Sequence, residues 1–250
     1  MEVVFQMKIA ISILLFLLIG STGCDDNSVD PSDSSTSLTS LHGKFVNWNK
    51  GANHRILFLG ANDVWNSDKI YASARIYSTG YFFIKNFDNP STSFIVNQAY
   101  PNYMDGTEFQ ENSVTCSDST AKVVYGVLII VKDTSNQRVA EVYRQNFNYN
   151  FYLDEELLKS GDFMSEYIYA DRDVDLKGKV KYIYDSPYFN KEWRMTFQYD
   201  LNFKKGWNRR VTYIVAYNVS YDNGKTIVTA EINYINYEPS PGDWHYYYYN

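Results

Sequence analysis

Residues 211–237 read VTYIVAYNVSYDNGKTIVTAEINYINY, and this stretch decides the fold class. In its first half a β-branched or aromatic residue occupies every second position: Val211, Tyr213, Val215, Tyr217, Val219 and Tyr221. A period of two is typical of a strand with one face against a core. Asp222-Asn223-Gly224 then supplies residues that suit a tight turn, and residues 226–237 return with a similar composition. The stretch predicts a β-hairpin with strands at 211–221 and 226–237.

Similar short runs, separated by Asn, Gly and Asp clusters, continue through the rest of the chain and predict further strands. These runs are residues 43–48, 54–59, 69–78, 81–85, 92–97, 122–132 and 138–150. The run 122–132 is apolar enough to be buried on both faces, which predicts a core strand. With 45% hydrophobic and 18% aromatic residues, the chain has enough apolar surface to fold, which excludes disorder of the whole. We therefore predict an all-β protein with one large or two tandem antiparallel β-sandwich domains.

Two segments interrupt the strand pattern. Residues 98–121 contain a proline, an Asp-Gly pair and few aliphatic residues, which predicts a long loop carrying Cys116. Residues 154–161 predict a short helix, capped by Asp154 and ended by Gly161. We place a larger β-sandwich at 41–170 and a smaller β domain at 171–250. One sandwich spanning 41–250 is the alternative.

The N-terminal residues 1–23 predict a signal peptide. Lys8 precedes an eleven-residue apolar run at 9–19, which is shorter than the roughly 20 apolar residues of a membrane-spanning helix. Small residues at 20–23 then lead to Cys24. The segment resembles a bacterial lipoprotein signal, which implies that Cys24 becomes the acylated first residue, although Ser21 stands where such signals usually have Leu. A signal peptide cleaved elsewhere is the alternative, and Met7 is an alternative initiator.

Residues 24–40 are acidic, rich in Ser and Thr and almost without apolar side chains, which predicts a disordered tether. With an acylated Cys24, this tether predicts an extracytoplasmic protein anchored in the bacterial envelope, at the outer membrane or the cell surface. Acidic residues behind the cysteine resemble surface-export signals of some Gram-negative phyla. In enteric bacteria an Asp at that place resembles an inner-membrane retention signal, so the choice of membrane stays open.

The formal net charge of −6 belongs mostly to the N-terminal segment. Residues 1–40 hold one basic residue and five acidic ones, so the remainder is nearly neutral. One short basic cluster stands out in that remainder, formed by Lys204, Lys205, Arg209 and Arg210. It is too small to neutralise a row of phosphates, which argues against nucleic acid and anionic membrane surfaces as partners.

Two further resemblances concern the folded part. Residues 43–46, GKFV, with residues 79–84, TGYFFI, resemble strands of prealbumin-like, carboxypeptidase-regulatory-type β-sandwiches. Residues 169–174, YADRDV, and 201–208, LNFKKGWN, resemble motifs of uncharacterised secreted bacterial lipoproteins. The resemblance implies a sandwich fold but no activity, because that group has none assigned.

Catalytic and metal-binding motifs are scarce. His42, His54 and His245 are scattered, without a partner at zinc-ligand spacing. The sequence has no Gly-x-Ser-x-Gly, His-Glu-x-x-His or glycine-rich phosphate motif in the body, and the neighbours of Cys116 carry no positive charge. We predict no cofactor and no identifiable catalysis. An envelope hydrolase that acts on glycans through a carboxylate pair is the alternative, because such a pair is defined by spatial separation.

One acidic run resembles a calcium site only weakly. Asp171, Asp173 and Asp175 alternate along an extended segment and offer oxygen ligands. An EF-hand loop would have Gly and Glu where this chain has Leu176 and Tyr182. A solvated turn paired with Arg172 is the favoured interpretation.

Aromatic side chains are the remaining candidates for function. Six of them are candidate binding residues: Trp48, Trp65, Trp193, Trp207, Trp244 and Tyr247. Aromatic rings on the outer face of a sheet form a contact surface that loses little entropy on binding. We therefore predict a lipid-anchored envelope protein that binds a glycan or another envelope protein through aromatic sheet surfaces. The competing interpretation is that tyrosines merely cover solvated strands.

Overall fold

The computed structural model describes residues 37–60, 70–90, 94–95, 107–124, 127–149, 157–186 and 189–248. The fold is all-β, as predicted. The described residues contain sixteen strands: β1 (Ser40–Lys44), β2 (His54–Leu59), β3 (Ile70–Ile76), β4 (Tyr81–Lys85), β5 (Phe94–Ile95), β6 (Thr107–Asn112), β7 (Thr115–Cys116), β8 (Lys122–Val124), β9 (Leu128–Lys132), β10 (Arg138–Gln145), β11 (Phe163–Ala170), β12 (Val174–Ser186), β13 (Lys191–Phe203), β14 (Gly206–Asp222), β15 (Lys225–Ile235) and β16 (Asp243–Tyr248).

All sixteen strands belong to one hydrogen-bonded network, whose main order is β1-β4-β3-β2-β9-β10-β11-β14-β15-β13-β12-β6. The named strands pair antiparallel except β13 and β15, which pair parallel. The cause is that β15 inserts between β13 and β14. Because β13 and β14 run in opposite directions and β15 is antiparallel to β14, β15 must run parallel to β13. The sheet is therefore mixed, not antiparallel throughout as predicted.

The predicted hairpin is confirmed. Strands β14 and β15 pair from Asp222↔Lys225 onward, and Asn223 and Gly224 both have positive φ, as a two-residue type I′ turn requires. The strict alternation, however, is interrupted where the register shifts between Ile214 and Ala216. This bulge at Val215 puts Ile214 and Tyr217 on the same side of the sheet, although they are three residues apart.

Strands β11 and β14 form a wall that is buried on both faces. They pair over the whole of β11, from Phe163↔Tyr213 to Ala170↔Gly206. One face of the wall packs into the C-terminal core, which includes Ile168, Ile214, Phe197 and Ile232. The other face packs into the N-terminal core, which includes Tyr167, Trp207, Phe58 and Trp244. The predicted boundary at residue 170 thus falls within a continuous sheet, and the division into two domains stays a prediction.

The first and last strands together close the N-terminal core. Phe45 forms a bridge with Trp244, and the amide of Val46 donates to the carbonyl of Trp244 at 2.9 Å. The Trp244 ring lies so close to Gly43 that a Cβ at this position would collide with it. Glycine at position 43 is therefore a packing requirement of this closure.

Three predicted segments differ in the structure. The run 122–132 is divided into β8 and β9, and β9 is buried on both faces as predicted, with Ile129 and Val131 in the N-terminal core and Leu128 and Ile130 on the opposite side. The segment 98–121, predicted as a loop, contains β6 and β7, which pair with β12. Of the predicted helix, residues 154–156 lie outside the described residues, and the part from Leu157 onward has one 3-10 residue followed by a turn.

Candidate binding surface

Two of the predicted binding aromatics are core residues. Trp207 is 2% exposed and its indole N–H donates to the carbonyl of Asp88 at 3.1 Å. Trp244 is 1% exposed and lies between Phe82 and Tyr167. Both rings fill the N-terminal core, so neither offers a face to a ligand.

Two further aromatics are half-buried and tied to the backbone. Trp48 stacks on Phe45 at 5.3 Å between ring centroids, and its indole N–H donates to the carbonyl of Gly51 at 2.8 Å. The hydroxyl of Tyr247 donates to the carbonyl of Tyr149 at 3.0 Å. These contacts use the polar groups of both side chains. Trp65 and Cys24 lie outside the described residues.

Trp193 is placed differently. It is half-buried on β13, directly across from Tyr184 on β12, and the two ring centroids are 5.6 Å apart with planes tilted by 31°. The ammonium of Lys191 lies 5.0 Å from the centroid of the indole ring. The indole N–H of Trp193 has no hydrogen-bond acceptor among the described residues. The rings of Trp193 and Tyr184 are therefore held in position, and the indole N–H of Trp193 remains available as a hydrogen-bond donor.

The register brings further side chains to the same face. Trp193 pairs with Val228, which pairs with Val219, and Lys191 pairs with Thr226, which pairs with Tyr221. Directly paired residues point to the same side of a sheet. We call this set the distal face; it consists of Tyr184, Lys191, Trp193, Val219 and Tyr221. Tyr221 is 78% exposed, whereas Val228 between the aromatic side chains is 1% exposed. The neighbouring side chains therefore cover the centre. Tyr184 and Trp193 are half-buried against the C-terminal core, and Tyr221 is exposed at the rim.

Charged groups hold the strand ends beside the distal face. Lys225 binds Asp185 at 2.6 Å and Glu192 at 2.9 Å, and Arg194 binds Glu192 at 2.6 Å. These bonds join β12, β13 and β15 on the side opposite Trp193. On the distal face itself, burial lowers the pKa of Lys191. The ammonium of Lys191 is therefore poorly solvated.

The basic cluster predicted from Lys204, Lys205, Arg209 and Arg210 is not a surface patch. Arg210 is 2% exposed and donates through Nε to Glu166 at 2.8 Å, on the side of the C-terminal core. Arg209 points to the other face, where its Nη1 lies 3.3 Å from Glu238. Lys204 lies 3.3 Å from Asp173. Arg209 and Arg210 are adjacent in sequence but lie on opposite faces of the wall of β11 and β14.

Arginine binds two glutamates beside the wall, the buried Glu238 and the half-buried Glu166. Arg144 donates two hydrogen bonds to Glu238, at 2.6 and 2.8 Å, and Ser165 donates a third at 2.6 Å. Glu166 pairs with Arg210 directly across from it. Since Ser165 and Glu166 are consecutive on a strand, these two carboxylates lie on opposite faces of the wall. They do not face each other as a hydrolytic pair would.

The three candidate calcium ligands have separate partners. Asp171 accepts from the amide of Lys122 at 2.8 Å and pairs with Arg172 at 3.0 Å. Asp173 accepts from the amide of Lys205 at 2.8 Å, and Asp175 accepts from Asn202. In the part of the chain that the structure describes, no three His, Cys, Asp or Glu side chains converge on a point suited to a metal ion.

Cys116 is not activated as a nucleophile. Burial raises the pKa of its thiol, and the nearby carboxylates of Asp118 and Asp175 raise it further. Its Sγ donates to the carbonyl of Asp118 at 3.1 Å. The neutral thiol is favoured, which is the opposite of what a nucleophilic cysteine needs.

No known protein family, curated protein or solved structure matches the chain. Within the described ranges, no helix is long and apolar enough to cross a membrane. Sequence reasoning identified Trp193 but missed its neighbours Tyr184, Lys191 and Tyr221. Tyr184 and Tyr221 each belong to an alternating aromatic run, YIY and YNVSY, which is the signal that could have found them.

Proposed function

We propose that this protein is a lipid-anchored component of the bacterial cell envelope that binds glycans through the distal face. The observation that carries the proposal is the Trp193–Tyr184 pair, two half-buried rings fixed on adjacent strands beside the exposed Tyr221. Preorganised aromatic side chains lose little conformational freedom when a ligand packs against them. The other described tryptophans are core residues or use their N–H within the protein, so Trp193 is the best placed to contact a ligand.

The chemistry of the distal face suits a sugar chain. A pyranose ring has flat C–H faces that pack on an indole or phenol ring and hydroxyl groups at its edge that need hydrogen-bond partners. Trp193 supplies an indole donor, and Tyr221 supplies an exposed phenol. Lys191 adds a positive charge beside the rings, which favours a glycan with carboxylate groups.

Membrane anchoring is supported by the N-terminal sequence and by the point at which the chain enters the body. The amide of Leu38 donates to the carbonyl of Trp207 at 2.5 Å, and the side chain of Ser37 lies beside Gly206. Residues 24–36 precede this point and are long enough to hold the body tens of ångströms from an acylated Cys24 (about 3.3 Å per extended residue). The tether would let the distal face reach a polymer near the membrane.

We expect Trp193→Ala to weaken glycan binding about tenfold, because a stacked ring contributes on the order of 1.4 kcal/mol. The full chain is first screened against an array of acidic and neutral bacterial glycans, and the affinity for the best ligand is then measured by calorimetry. Tyr237→Ala is the matched control, because Tyr237 is 48% exposed and lies away from the distal face.

Equal affinity of the Trp193 and Tyr237 variants for that glycan would refute the distal face as the site, as would the absence of binding to every glycan. Release of new reducing ends from the bound glycan would instead favour the hydrolase alternative. Circular dichroism of both variants checks that the strands are retained.

We expect Cys24→Ala to release the protein from the membrane fraction, because a single cysteine carries the proposed anchor. The measurement is fractionation of cells with a detergent-free wash, followed by mass spectrometry of the N-terminal peptide for attached acyl chains. Cys116→Ala is the control and should leave the distribution unchanged. A Cys24→Ala protein that stays in the membrane fraction would overturn the lipid anchor.

A further inference from the structure

The hairpin of β14 and β15 projects beyond the strand that flanks β14. β11 pairs only with residues 206–213 of β14, and the hydroxyl of Ser160 then donates to the carbonyl of Val215 at 2.6 Å on the same edge. In the part of the chain that the structure describes, no strand pairs with this edge at residues 218–222. We call residues 218–222 the open edge of β14. Tyr221 within it is 78% exposed.

The register shows which backbone groups of the open edge point outward. The amide of Thr226 donates to the carbonyl of Asn190 at 3.0 Å, on the side of β15 that faces β13. Thr226 is the partner of Tyr221, so these two residues exchange no backbone hydrogen bonds. The N–H and C=O of Tyr221 therefore point away from β15. Because the direction alternates along a strand, those of Val219 point outward as well.

The open edge lacks the features that usually protect an exposed edge strand from pairing. Its sequence is Asn-Val-Ser-Tyr-Asp, without lysine or proline. β6, the strand at the end of the main strand order, is different: its pairing with β12 contains a register shift, and it carries Glu108 and Glu111. Bulges and charges of this kind hinder the addition of another strand. Of these two edges, the open edge of β14 is the one suited to accept a strand.

The open edge is complementary to itself. In an antiparallel pairing of two copies about a two-fold axis at Ser220, Val219 of each copy lies opposite Tyr221 of the other. Their outward backbone groups allow each such pair to exchange two hydrogen bonds. Asn218 then lies opposite Asp222, which places an amide donor beside a carboxylate. A β-branched residue opposite an aromatic one is a favourable cross-strand pair, and no like charges face each other.

The length of the open edge also agrees with this register. Gly224 in the turn of the second copy lies opposite Ala216, directly before Val215, where Ser160 occupies the edge. One hairpin end therefore fills the available length. Because directly paired residues share a face, the two distal faces lie side by side on one side of the joined sheet.

We propose that two copies of this chain associate through the open edge of β14, which joins their sheets across a two-fold axis at Ser220. Each copy offers the same stretch, so the contact is isologous and closes as a dimer. Five residues from each copy bury less than a standard interface of about 1,600 Å², so the dimer is weak and reversible. The inference is independent of the lipid anchor and of glycan binding at the distal face.

The first test is sedimentation equilibrium of the lipidated full chain in a density-matched detergent, where we expect a reversible monomer–dimer equilibrium. Ser220→Lys places two ammonium ions opposite each other at the axis and should weaken the dimer about fivefold. Thr229→Lys is the matched control, because Thr229 is exposed on the same side of the sheet, beside Asn218 on β15. It adds the same charge away from the axis and should leave the equilibrium unchanged.

A mixture of variants separates pairing at the axis from a general loss of structure. Ser220→Lys chains mixed with Ser220→Glu chains place opposite charges at the axis, so the mixture should recover the dimer that neither variant forms well alone. A native chain that stays monomeric at every concentration, equal weakening by Ser220→Lys and Thr229→Lys, or a mixture without recovery would each overturn the proposal.

A disulfide tests the register itself. Residues opposite each other in a pair without backbone hydrogen bonds have Cα atoms about 4.5 Å apart, which suits a disulfide. Ser220→Cys in a Cys116→Ala background should therefore form a covalent dimer under mild oxidation, seen on a non-reducing gel. Thr229→Cys in the same background should stay monomeric. Equal cross-linking of the two variants would exclude the axis at Ser220.

Discussion

Replacement of Glu238 by Gln should lower the free energy of unfolding by about 3–5 kcal/mol at neutral pH, because the buried carboxylate binds two arginines. Glu238 is 8% exposed and binds Arg144, Arg209 and Ser165. Gln keeps the size of the side chain but removes the charge, which leaves two arginines without their carboxylate in a buried site. Urea unfolding monitored by tryptophan fluorescence measures the loss. Glu231→Gln, at an exposed position on β15, is the control and should change stability by less than about 0.5 kcal/mol.

The pH dependence identifies the charge as the cause. Burial alone would raise the pKa of Glu238, but the hydrogen bonds from Arg144 and Ser165 and the charge of Arg209 outweigh burial and hold this pKa below its ordinary value. A carboxyl whose pKa is lowered by folding stabilises the protein above its unfolded pKa, and this stability is lost as the pH falls through the folded pKa. The difference between native chain and Glu238→Gln should therefore shrink below about pH 4. A difference that stays constant down to low pH would contradict this account.

Arg210→Leu should cost a similar 3–5 kcal/mol, on the other face of the same wall. Arg210 pairs with Glu166, and its guanidinium lies 5.0 Å from the centroid of the Tyr234 ring. Leu removes the cation and leaves the carboxylate of Glu166 without its ion-pair partner, with the hydrogen bond from Thr212 retained. The double variant Glu166→Leu/Arg210→Leu should regain most of the loss, because an apolar pair can replace a buried ion pair. Chemical denaturation of the native chain and of both variants measures these differences.

The deficit of Arg210→Leu should also narrow at low pH, although the cause differs from that at Glu238. In the native chain burial already raises the pKa of Glu166, although Arg210 opposes it. Without Arg210 this pKa rises further. A carboxyl whose pKa is raised by folding is more stable in its neutral form, so the stability present below the unfolded pKa is lost as the pH rises through the folded pKa. Acidification should therefore narrow the deficit of Arg210→Leu, and a deficit that widens would contradict the burial of Glu166.

The sequence predicts local structure well where the residues present allow few backbone conformations. Alternating apolar residues and Asn223-Gly224 predict the hairpin, because positive φ at both turn positions leaves few alternatives. The bounds of β2 and β4 likewise agree with runs of β-branched and aromatic residues. Pairing between distant segments is not encoded in any such run. The insertion of β15 between β13 and β14, and with it the parallel pair, depends on the packing of the whole sheet.

In the candidate sites, too, the sequence predicts local features but not the arrangement that depends on long-range packing. Tryptophan in a strand predicts an aromatic surface, but the sequence does not say which face of the sheet each ring occupies. Trp207 and Trp244 therefore looked equivalent to Trp193 until the packing placed the first two in the core. The charges are similar: Arg209 and Arg210 are adjacent in sequence but lie on opposite sides of a wall, whereas Arg55 and Arg75 are twenty residues apart and pair directly.

The closure of the N-terminal core by β1 and β16 has a consequence for the order of folding. The hydroxyl of Tyr246 donates to the carbonyl of Asn47 at 2.8 Å, a contact between residues 199 positions apart. Contacts of such separation form late, because a long loop must close before they contribute. A chain that emerges from a ribosome N-terminus first must wait for β16 before Trp244 can seal this core. During that interval Phe45 and Phe82 lack their partner, which makes the nascent chain a natural client for chaperones that shield exposed aromatic side chains.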